Sequence, residues 1–99
     1  MQITDPEVLR FIADTEAAYP AKANGATAEE NRRMYDVMCA VFRAPRPEGL
    51  PVRDEDVAGV PVRRYTPEGA EARPFLLYSH GGGFVVGGLD SHDDVCAEL

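Results

Sequence analysis

Residues 80–94, HGGGFVVGGLDSHDD, place five glycines, two histidines and three acids directly behind the apolar run FLLYSH at 75–80. Glycine weakens strands and helices, so a triple glycine at such a point needs a use. A phosphate-binding loop needs GxxxxGK[ST], and the chain has no Gly-Lys pair. The dinucleotide fingerprint GxGxxG starts well at Gly81 and Gly83 but meets Val86 at its third glycine. What remains is a loop whose backbone N–H groups point outward at a ligand at close range, where side chains would block the approach. Amides of that kind stabilise the oxyanion of a tetrahedral intermediate in acyl transfer.

The other reactive side chains nearby have plainer uses. His92, Asp93 and Asp94 look like a metal cluster, but adjacent side chains on a helix diverge, and helix capping is the reading adopted. Asp90 or Ser91 is placed as the cap, with Asp93 and Asp94 in the positive first turn. The chain holds two serines, Ser79 and Ser91, and neither sits in a GxSxG elbow. Cys39 and Cys96 form no CxxC and are expected to be free, partly buried thiols.

The elements that must carry this loop fall into three zones. Residues 1–44 are expected to be helical. Asp5, Pro6 and Glu7 read as N-cap, N1 proline and first-turn acid, with Val8, Leu9, Ile12 and Ala13 at helical spacing up to Tyr19 and Pro20 as the stop. KANGA is a loop. Thr27 and Glu30 form a capping box, followed by an apolar face of Met34, Tyr35, Met38, Val41 and Phe42 that serves helix packing or a Met-lined ligand surface. A proline-rich linker covers 45–52. From 53 to 99 the chain turns to strands: VRDEDVAG and VPVRRYTP with a tight connection, a turn at PEGAEARP, then FLLYSH, whose continuous apolar character predicts a strand buried on both faces of a largely parallel sheet. A helix begins after Ser91, with Val95, Cys96 and Leu99 on its apolar face. Such elements do not close a domain, so the sequence is read as the N-terminal part of a larger protein.

Composition sets further bounds. The 99 residues carry a net charge of −7 with a single lysine, Lys22, which excludes nucleic acid as a partner. No apolar run is long enough for a membrane span, and the N-terminus lacks a signal-peptide pattern, so a cytoplasmic location is expected.

Strand, glycine loop and helix follow the order of the α/β-hydrolase oxyanion loop. The stretch HGGGFVVGGLDSHDDVC resembles the signature of the bacterial hormone-sensitive-lipase-like carboxylesterases, a branch of the α/β-hydrolases. VPVRRYTPEG resembles that family's second strand, RPFLLYSHGGGF its third, and residues 5–44 its N-terminal cap helices. The resemblance implies an α/β fold with the backbone N–H groups of Gly82 and Gly83 as oxyanion donors and Gly81 permitting the turn. His80 supports the loop through side-chain hydrogen bonds, which is also what an ordinary buried histidine does. Phe84 lines the acyl site or packs in the core, and Gly87 and Gly88 allow close packing of the loop. It implies no metal and no organic cofactor, a small-molecule ester as substrate, and the remainder of the hydrolase core, on the same or a separate chain, as partner; an oligomer is left open.

None of the family's Ser-Asp/Glu-His triad is found in residues 1–99. It is expected beyond Leu99, and the segment alone is expected to be inactive. The activity implied is serine carboxylesterase chemistry on short-chain acyl esters. The alternative is a non-catalytic small-molecule binder on the same fold.

Overall fold

The computed structural model describes residues 1–19 and 25–99. Helix α1 runs Pro6–Ala18 and α2 runs Ala28–Phe42. Both begin where their sequences dictate. Asp5 accepts from the amides of Glu7 (2.8 Å) and Val8 (3.4 Å) ahead of Pro6. Thr27 and Glu30 exchange the two bonds of the capping box, at 3.2 and 2.7 Å. Pro20 and most of KANGA lie outside the described residues. The two helices form an antiparallel pair, because Phe11 of α1 meets Phe42 at the end of α2 (centroids 5.1 Å) while Tyr19 donates to Asn31 near its start (3.2 Å).

Strands β1 (Val52–Val57) and β2 (Val60–Tyr65) pair antiparallel, with Val57 opposite Val60. The two-residue turn between them has positive φ at both Ala58 (53°) and Gly59 (83°), the handedness that matches strand twist. Asp56 Oδ1 accepts from the Gly59 amide at 2.7 Å. Pro61 stands one pair beyond the closing pair, where alternation turns its nitrogen away from β1 and no ladder bond is lost. A 3₁₀ turn at Ala70–Ala72 fills the expected turn region, and α3 spans Asp93–Glu98.

The expectation for FLLYSH is corrected. Residues 75–80 form no strand among the described residues, and Phe75 (84%) and Leu77 (80%) are largely exposed. The reason is the lack of a neighbour. Among the described residues β1 and β2 pair only with each other, and a strand of this apolar type is stable only when flanked and covered. The helix stripes are likewise half-covered: Met34, Tyr35, Met38 and Cys39 are partly buried, Val41 and Phe42 exposed. No apolar side chain among the described residues is fully buried. The Cα radius of gyration is 16.5 Å, against roughly 13 Å for a closed domain of this length.

Polar contacts join the elements instead. The buried carboxylate of Asp93, 5% exposed at the start of α3, receives Arg46 from the 45–52 segment (2.8 and 3.1 Å), Arg63 from β2 (2.9 Å) and the Tyr65 hydroxyl (2.7 Å).

Candidate active site

The glycine loop is a left-handed turn. Gly83 (φ 61°) and Phe84 (φ 62°) occupy consecutive left-handed positions, and the Gly82 carbonyl accepts from the amides of both Val85 (3.0 Å) and Val86 (3.1 Å). At Gly82, φ is 130°, and an added Cβ would collide with the Val86 carbonyl. Only glycine fits there. Gly87 has the same character for a different reason: its Cβ would lie 2.9 Å from both the Gly81 carbonyl and His80 Nδ1. Gly88 meets open space, so the close packing expected of both glycines belongs to Gly87.

His80 Nδ1 lies 2.7 Å from the Gly81 carbonyl, which can only accept, so this nitrogen carries the hydrogen. Its ring stacks on His92, centroids 5.2 Å apart, with Tyr78 tilted against the far histidine at 6.4 Å. The amides of Gly82 and Gly83 donate to no protein acceptor among the described residues. Phe84 is fully exposed and takes no part in a core. A non-glycine residue in the left-handed region costs on the order of 1 kcal/mol, which the tight turn imposes on it.

Behind the loop the chain is pinned at several points. Ser91 Oγ accepts from the Gly88 amide (2.8 Å) and lies 3.1 Å from the Gly88 carbonyl and 2.9 Å from His92 Nδ1. Ser91 therefore ties the loop exit and does not cap α3. The cap position falls to His92, whose side chain makes no cap bond. Asp93 and Asp94 do stand in the first turn: Asp94 accepts from the Val95 amide of that turn (2.9 Å) with one oxygen and from the Ala44 amide (3.2 Å) with the other, while the Asp93 carboxylate faces the arginine pair. From α2, Arg32 Nε donates to the Val85 carbonyl at 2.7 Å.

The strongest electrostatics lie in this support. Burial alone would raise the Asp93 pKa, but hydrogen bonds from Arg46, Tyr65 and Arg63 outweigh it and bring it to about 2. The Tyr65 hydroxyl is pushed well up by burial and by its bond to Asp93. Cys39 and Cys96 are free and half-buried, and burial raises both thiols. Arg63, Arg46, Arg32 and the ionic part of Asp93 are absent from the sequence-based reading. The Asp54–Arg63 pairing was within reach, because a two-residue turn at Ala58–Gly59 fixes that register. Nothing local signals that Arg46 meets Asp93.

No protein-family model matches the chain. Curated relatives do. An ethyl acetate hydrolase of Pseudomonas putida is 35% identical over 96% of this chain and 34% of its own length. The carboxylesterase NlhH of Mycobacterium tuberculosis is 33% identical over 92% of this chain and 29% of its own. The carboxylic ester hydrolase LipN of the same organism is 49% identical over 37% of this chain and 10% of its own. The chain thus spans at most about a third of the length of these relatives. Their kind implies an α/β-hydrolase fold, and the helices and the β1–β2 hairpin are consistent with part of one. By these similarities the chain resembles a segment of the esterases of the hormone-sensitive-lipase-like type.

Proposed function

We propose that the whole protein is a serine carboxylesterase acting on short-chain acyl esters, and that residues 80–84 supply part of its oxyanion hole. The observation that carries this reading is the turn itself. Gly82 and Gly83 hold amides that donate to no described protein acceptor, in a backbone only glycine can adopt at position 82. The names of the relatives support ester hydrolysis as the chemistry.

In this mechanism a serine in a GxSxG elbow, supplied from outside residues 1–99, attacks the ester carbonyl. A histidine oriented by an acid takes the serine proton and later returns it to the leaving alcohol. The charge that develops on the carbonyl oxygen is met by the amides of Gly82 and Gly83 and by the amide after the serine. Gly81 opens the turn. His80, bonded to the Gly81 carbonyl, holds the loop's first peptide in place. Phe84 projects from the turn towards the acyl group. Residues 1–44 act as part of a cap, 45–52 as its linker and 53–99 as the start of the hydrolase core. The chemistry asks for no metal and no organic cofactor.

The test is p-nitrophenyl acetate hydrolysis by the full-length protein, with Gly82→Val and Gly83→Val as variants. The parent should turn over the ester. Each folded variant should lose ~10²–10³-fold in kcat, the scale of a lost oxyanion donor. Folded variants that keep parental turnover would remove the oxyanion assignment.

A further inference from the structure

We infer that Arg63 is the positioning residue of the glycine loop, and that it acts through the Leu89 carbonyl. This rests on the oxyanion reading above but draws on different atoms. Arg63 donates four hydrogen bonds and makes one further ion pair. Nε and Nη2 grip both oxygens of Asp54 (2.7 and 2.9 Å), Nη2 also meets Asp90 (2.9 Å), and Nη1 divides between Asp93 (2.9 Å) and the Leu89 carbonyl (3.1 Å). Its side chain is only 10% exposed. A guanidinium so engaged has one orientation, set by the rigid hairpin that carries both Arg63 and Asp54.

From Leu89 the constraint passes to the turn without slack. Gly88 is bonded to Ser91 through its amide. Gly87 lies against His80 and the Gly81 carbonyl with no room for a methyl group, and the Val86 carbonyl lies against Gly82. Fixing Leu89 therefore fixes where the Gly82 and Gly83 amides stand. Arg46 shares Asp93 but touches no loop carbonyl. It belongs to stability alone.

The experiment uses the full-length protein with Arg63→Lys, Asp54→Asn and Arg46→Gln, each active site counted by a fluorophosphonate label. Lysine keeps the charge but has three donors and no fork. The expected result for Arg63→Lys is a kcat per labelled site down by up to about 10²-fold with KM little changed, as misplacement of a catalytic group predicts. Asp54→Asn should move the same way to a smaller degree, and carries the test if Arg63→Lys does not fold. Arg46→Gln should lower the melting temperature and leave kcat per site alone. Amide hydrogen exchange gives a readout independent of turnover: Val85 and Val86, bonded to the Gly82 carbonyl, should exchange faster in Arg63→Lys and Asp54→Asn but not in Arg46→Gln. Parental kcat per site together with parental exchange at Val85 and Val86 would overturn the inference. A parent that hydrolyses no ester, with exchange still altered in Arg63→Lys, would sink the esterase reading and leave the positioning role standing.

Discussion

Gly87 and Gly88 are neighbours of identical type, yet the structure separates them sharply. Gly87→Ala would force its methyl group to 2.9 Å from the Gly81 carbonyl and His80 Nδ1, at a φ of 93°. Gly88→Ala meets nothing. In the full-length protein, if it is the esterase proposed, the first substitution should cut kcat by about tenfold or more through displacement of the loop, while the second should stay near the parent. Equal activity of the two would mean that Gly87 is not packed as described. Asp93 offers a prediction in pH. Its folded pKa of about 2 lies below the ordinary 3.8, so its ionic bonds stabilise the fold fully above about pH 4. That contribution is lost as pH falls from about 4 towards 2, as protons bind the unfolded chain first. The span corresponds to about 2 kcal/mol. Denaturant melts of parent and Asp93→Asn in the full-length protein should differ by that order at pH 6 and converge towards pH 2. A constant gap across this window would show that Asp93 is not ionised in the network.

At the scale of elements, what was legible in the sequence was whatever depends on neighbours in the chain. Asp5 with Pro6, and Thr27 with Glu30, begin α1 and α2 where capping chemistry places them, because those bonds close within three residues. The hairpin followed from two alternating runs and a tight connection. The α3 cap was misassigned because Ser91 found a better partner in Gly88, a competition among local bonds that residue type does not decide. The glycine loop was legible as a donor loop, but its support from Arg32 and Arg63 was not, since those contacts cross 53 and 26 residues. One element carries a correctable defect. Ala58 sits at φ 53°, where a Cβ costs ~1–2 kcal/mol. Ala58→Gly should therefore raise the stability of the full-length protein by about 0.5 kcal/mol, after subtraction of the greater freedom glycine has when unfolded. A fall in denaturant midpoint would place the turn in another geometry.

Over the whole molecule, charge and hydrogen bonds connect elements while apolar surface is left open. Phe75, Leu76, Leu77 and Tyr78 form no strand and are exposed, although their sequence is that of a strand enclosed on both sides. Residues 1–99 expressed alone should therefore lack a cooperative melt and near-UV circular dichroism, bind a dye for apolar surface, and hydrolyse no ester. A sharp transition from a monomer would show that these residues close a core of their own. In the full-length protein the same run makes the opposite demand. Successive residues of a strand face opposite sides of the sheet, so Leu76 and Leu77 report on different faces. If the sheet is covered on both, Leu76→Asp and Leu77→Asp should each destabilise by ~3 kcal/mol or more, because each buries a carboxylate without a partner. Loss from only one of the two would mean a sheet open to water on one side, and a strand of that kind would normally alternate apolar with polar residues, which FLLY does not. Paired denaturant melts of the two variants decide between a sheet enclosed by helices and one with a bare face.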